Sequence, residues 1–62
     1  MAMSGKEMLN LYLKDGWRIL RQKGSHVHVG KEVKGKMLNQ TIPMHKELKK
    51  GLTKKLLKFI SG

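Results

Sequence analysis

The chain has no cysteine. Disulfide staples, thiolate metal sites and thiol nucleophiles are thereby excluded, and a reducing, intracellular setting is the expectation. Aromatic residues are scarce: Tyr12, Trp17 and Phe59 are the whole supply, and a thin core is expected to use all three in packing. No apolar run approaches the roughly 18 residues that a membrane span needs, and the N-terminus lacks the apolar stretch of a signal peptide. A soluble, cytoplasmic protein without membrane association is expected. At 62 residues there is room for one core and no second, and a chain of this size buries only about 60% of the surface its unfolded form exposes. One domain over residues 1–62 is expected. Its ordered part runs from 4 to 60, and residues 1–3 lie outside it and carry no functional weight, since Met3 is itself a plausible start.

Acidic residues are the other shortage. Four Asp and Glu face fourteen Lys and Arg, a formal net charge of +10. Such a surplus concentrates polyanions and speeds their association but carries no chemistry of its own. Nucleic acid, anionic lipid and an acidic protein all remain open as partners.

What is present is well patterned. Ser4-Gly5-Lys6-Glu7 is an S-x-x-E capping box, in which the hydroxyl and the carboxylate each satisfy a free amide at a helix start. Met8, Leu9, Tyr12 and Leu13 form one apolar stripe, and Asp15-Gly16 ends the helix. From Trp17 to Gln22 the period becomes two, with Trp17, Ile19 and Arg21 on one face and Arg18, Leu20 and Gln22 on the other. Lys23-Gly24-Ser25 marks a turn, and His26-Val27-His28-Val29 alternates polar and apolar residues, completing a hairpin. Gly30 to Gly35 reads as a charged connection. Lys36 to Ile42 returns as a third strand, stopped by Pro43. Leu48, Leu52, Leu56, Phe59 and Ile60 share one side of a final helix starting near Lys50, with Lys50, Lys54 and Lys58 opposite. The fold class is α+β: helix, three antiparallel strands, helix, with both helices on one face of the sheet.

Four segments in this order, Asp15-Gly16-Trp17, Arg21-Gln22-Lys23-Gly24-Ser25-His26, Ile42-Pro43-Met44-His45 and Lys46-Glu47-Leu48-Lys49-Lys50-Gly51, followed by a Leu-rich helix, resemble the HicA family of small toxins. The resemblance covers Ser4 to Ile60. It implies a double-stranded-RNA-binding-domain-like fold and a toxin of a toxin–antitoxin pair that cleaves messenger RNA, held inactive by a HicB-type antitoxin. It makes His26, the histidine of Gly-Ser-His, the catalytic residue and gives Gly24 the position of the family's preceding glycine; His45 matches a histidine frequent in the family, with substrate contact or proton transfer as its functional reading. The family often has a second histidine directly after the first and an aromatic two residues later. Here those positions hold Val27 and Val29, and a histidine stands instead at His28. Successive strand residues face opposite ways, so a role for this neighbour does not carry over.

The chemistry is compatible with these residues. RNA can be cut without metal or cofactor when a base removes the 2′-hydroxyl proton and that oxygen attacks its own phosphorus. Histidine, with a reference pKa of about 6.5, both accepts and donates protons near neutrality. Arg21, Lys23, Lys46 or the Gly24 amide can meet the charge that develops on phosphorus. Gly24, Ser25, Arg21, Lys23, His28, His45 and Lys46 are thus the candidate RNA-binding set around His26, with no metal site. Each residue also has a plainer reading. His26 by itself is a solvated strand residue beside a turn, His45 a loop residue, and the lysine row a solvated helix face. His26, His28 and His45 could supply three zinc ligands, but no carboxylate or Cys completes them and the net charge repels a cation. Trp17 can stack on a base, though such a residue is more often core. The alternative function is an RNA-binding module of the same fold that does not cut; a third is a protein that chiefly engages an acidic partner.

Overall fold

In the computed structural model, which describes residues 2–60, the first helix is set by Ser4. The Ser4 hydroxyl accepts from the Glu7 amide at 3.1 Å, and the Glu7 carboxylate accepts from the Ser4 amide at 2.9 Å. With both amides satisfied, α1 (Gly5–Lys14) starts from a closed capping box. Asp15 caps its other end, and Gly16, at φ +97°, turns the chain away. Lys31 reaches this end from the sheet and donates to the Asp15 carbonyl at 2.6 Å and to its carboxylate at 3.2 Å. A cation here also complements the negative end of the helix dipole.

Three antiparallel strands follow in spatial order β1-β2-β3: β1 (Arg18–Lys23), β2 (His26–Val33) and β3 (Lys36–Pro43). A second helix, α2 (Lys50–Lys58), closes the chain. This is the expected α+β order, and the helix starts at the expected residue. Val27 and Val29 of β2 and Ile42 of β3 are buried in one cluster with Met8 and Tyr12 of α1 and Leu56 of α2. Both helices therefore bury against the same sheet face, and the opposite face stays open. The Tyr12 hydroxyl donates to the Leu56 carbonyl at 2.7 Å, a buried bond that ties the two helices together.

Several local expectations are corrected. Gly30–Gly35 is not a loop: β2 runs on to Val33, and Lys31 and Glu32 pair with Leu38 and Met37 of β3. Polar residues are stable there because one sheet face meets water and the Lys31 head is bound to Asp15. The turn is only Lys34-Gly35, both at positive φ (51° and 80°), the geometry of a type I′ hairpin. The alternation expected in the first strand also fails. A bulge between Ile19 and Arg21 inserts one residue and shifts the phase of the strand. Arg21 thereby parts from Ile19 and joins the open face. Trp17 precedes β1 because its amide is bound to the Tyr12 carbonyl at 3.0 Å, and its ring, 2% exposed, packs 4.8 Å from that of Tyr12.

Two apolar stripes are narrower than their spacing suggests. Leu13 is 40% and Phe59 43% exposed, while their neighbours Tyr12 and Ile60 are the residues that turn to the core. Phe59 thus adds no buried ring to the core. Leu48, ahead of α2, is instead buried, and its amide donates to the Met3 carbonyl at 2.7 Å. Met3 also packs against the core and so stands inside the ordered chain, whereas Met1 lies outside the described residues. No helix among the described residues is long and apolar enough to cross a membrane.

Candidate functional site

The site is assembled by strand register. Lys23 lies directly opposite His26, and Arg21 opposite His28, across the β1–β2 pair. Residues opposite one another in an antiparallel pair point to the same side, so Arg21, Lys23, His26 and His28 share the open face, while Val27 and Val29 point into the core. Without the bulge, Arg21 and Lys23 would be parted from the histidines. Gly24 and Ser25 form the two-residue turn at the end of this hairpin. Gly24 takes φ +59°, as the first position of a type II′ turn requires, and no protein atom lies within 4 Å of where a side chain would begin. The turn is therefore bare toward solvent. The Gln22 side-chain amide donates to the Gly24 carbonyl at 3.2 Å and steadies it.

The other strand supplies the remaining pieces. On β3, Thr41 lies opposite His28 and its hydroxyl is 3.0 Å from His28 Nδ1. His28 is thus engaged within the sheet. Pro43 lies opposite His26, and the Met44 amide donates to the Ser25 carbonyl at 2.6 Å. One residue further on, His45 comes beside His26, with ring centroids 6.5 Å apart and planes at 65°. Its carbonyl accepts from the Gly5 amide at 2.9 Å. His45 and Lys46 line a shallow recess of about 540 Å³ together with Lys6 and Leu9 of α1 and with Ile19, Gln22 and Val27 of the helix-covered sheet face.

His26, His45, Arg21, Lys23 and Lys46 are all exposed, and His28 is half-buried. The candidate set is therefore brought together at one end of the molecule, around the Gly24-Ser25 turn, and a substrate can reach it without rearrangement. Among the described residues no group of three His, Cys, Asp or Glu side chains is placed to hold a metal ion. Trp17 does not belong to the site: buried under Tyr12, it offers no stacking surface, and its indole N–H donates to Asp15 at 3.2 Å. The Lys50, Lys54 and Lys58 side chains are exposed on α2.

Sequence reasoning missed Gly5, Thr41 and Gln22, which hold the site without a chemical signature of their own. Only the pairing of distant segments reveals them. Comparison with known proteins bears on the same stretch of chain. A family model described as the HicA toxin of bacterial toxin–antitoxin systems matches residues 5–60. Neither the curated proteins nor the solved structures give a match.

Proposed function

The chain belongs to the HicA toxin family of bacterial toxin–antitoxin systems, and from that premise we propose that it is a metal-independent endoribonuclease that cleaves messenger RNA, with His26 moving the proton. As a toxin of such a system it has a cognate antitoxin, for which we propose a HicB-type protein. Its place of action is the cytoplasm, where messenger RNA is translated.

The observation that carries this reading is the open sheet face on which His26 stands directly opposite Lys23, with Arg21 and His28 in the next row. Neutral His26 accepts the proton of a ribose 2′-hydroxyl. The freed oxygen attacks the adjacent phosphorus, the bond to the 5′-oxygen of the next nucleotide breaks, and a 2′,3′-cyclic phosphate is left. Negative charge rises on the nonbridging oxygens as this happens. Lys23 and Arg21 offer fixed cations on the same face, which stabilise that charge more than they stabilise the substrate. The bare Gly24-Ser25 turn lets the backbone of a single strand come close, and Lys46 and His28 lie at its flanks. Reading a single strand this way needs no deep groove.

The test is cleavage of a mixed-sequence RNA in EDTA by the wild type and by His26→Ala, each of confirmed fold, beside an all-deoxy strand. Cleavage by the wild type alone, absent on DNA, with a loss of about 10²-fold or more in the variant, is the expected result. RNA that is bound and left whole by the wild type would instead make the chain a binding module of this fold.

A further inference from the structure

Three histidines gather at the site, and they are held differently. His28 is engaged with Thr41. His26 and His45 are exposed and approach each other edge-on, with ring centroids 6.5 Å apart. They come from chain positions nineteen residues apart, and the backbone around His45 is fastened on both sides. Met44 donates to Ser25 at 2.6 Å, and His45 accepts from Gly5 at 2.9 Å. The turn and α1 thus hold one exposed imidazole beside another in a chain of net charge +10.

We infer that His45 is a second catalytic residue, the general acid that protonates the leaving 5′-oxygen while His26 removes the 2′-hydroxyl proton. This rests on the ribonuclease reading above and adds to it. An in-line displacement places the attacking and leaving oxygens on opposite sides of phosphorus, so one group cannot serve both in the same step. Each oxygen needs a proton-transfer partner within about 2.6–3.2 Å. With ring centroids 6.5 Å apart, the two imidazoles can each meet one of these oxygens on a single phosphodiester. The balance is complete: His26 gains the 2′-proton as the O2′–P bond forms, and His45 loses its proton to the 5′-oxygen as the P–O5′ bond breaks. Solvent then returns both rings to their starting states.

The experiment uses two RNA strands that differ at one bond, an ordinary 5′-oxygen and a 5′-bridging sulfur at the scissile position. A thiolate leaves without being protonated, so the sulfur strand bypasses the general acid. His45→Ala is expected to lose about 10²-fold or more in rate on the oxygen strand and to cleave the sulfur strand close to the wild-type rate. His26→Ala is expected to be slow on both. Circular dichroism confirms that both exposed positions tolerate the change. If His45→Ala is equally impaired on the two strands, or unimpaired on the oxygen strand, the general-acid role falls while the ribonuclease reading stands. Rescue of His26→Ala by sulfur in place of His45→Ala overturns the assignment of roles. A wild type that cleaves neither strand removes the ribonuclease reading itself.

Discussion

Gly5 sits where α1 meets the end of β3, and its lack of a side chain is what allows the contact. A methyl group there would run into the Pro43 carbonyl oxygen and lie 2.8 Å from Met44 Cα, both backbone atoms that cannot swing aside. Alanine is favoured over glycine in a helix by roughly 1 kcal/mol, but overpacking of this kind costs about 1–3 kcal/mol or more, and the clash wins. Gly5→Ala is expected to lower the urea midpoint and, because the Gly5 amide holds the His45 carbonyl, to slow cleavage as well. A more stable variant would show that the helix does not approach β3 so closely. Tyr12 is the other residue with a measurable signature. Burial, reinforced by the nearby Asp15 carboxylate, pushes its phenol up to about 12 from 10. The fold keeps the neutral form, so this contribution to stability is complete below pH 10 and is lost as pH rises toward 12. Tyr12→Phe is the control. The stability advantage of the wild type over Tyr12→Phe should shrink between pH 10 and 12, and a constant difference would mean that the hydroxyl is not buried.

The elements differ in how local their causes are. The capping box of α1 depends on four consecutive residues, and it was legible for that reason. The two hairpin turns make a sharper contrast. Gly24-Ser25 carries an ordinary turn signal, with glycine at the position that needs positive φ. Lys34-Gly35 does not, because Lys34 itself takes φ 51°, a region that costs an ordinary L-residue about 1–2 kcal/mol and that asparagine visits more readily. Register with β3 imposes that conformation on Lys34, so the turn was hidden inside what looked like a charged loop. Lys34→Asn is expected to raise stability by up to about 1 kcal/mol, read as a higher urea midpoint with unchanged slope. A lower midpoint would mean that the lysine is not in the left-handed region. The bulge in β1 was hidden for a similar reason: a phase shift between two exposed residues leaves the composition of the strand untouched.

At the scale of the whole molecule, the charge is what the open sheet face has to work with. Arg21 and Lys23 border His26 and His28, and Lys46 lies beyond His45. If these side chains contact phosphates, RNA binding should weaken many-fold between about 50 and 200 mM salt, with a slope of about 0.7 per contact on a single strand. Replacing both Arg21 and Lys23 by Gln should lower that slope by about 1.4 in a fluorescence anisotropy titration with an uncleavable deoxy strand. An unchanged slope would place the phosphate contacts elsewhere, the exposed lysines of α2 being the next candidates.

Several properties of this protein follow from its residues taken in order. The α+β class, the element order, the start of both helices and the adjacency of Gly24, Ser25 and His26 rest on capping, periodicity and turn chemistry, whose range is a few residues. Composition favours an anionic partner. Other properties needed the folded chain. That Arg21 shares a face with His26, that Trp17 is buried while Phe59 is not, that Thr41 engages His28 and that His45 arrives beside His26 all depend on strand register and on where α1 meets β3. Those are set by which apolar side chains can be buried together, and that is a property of the assembled core rather than of any stretch of sequence.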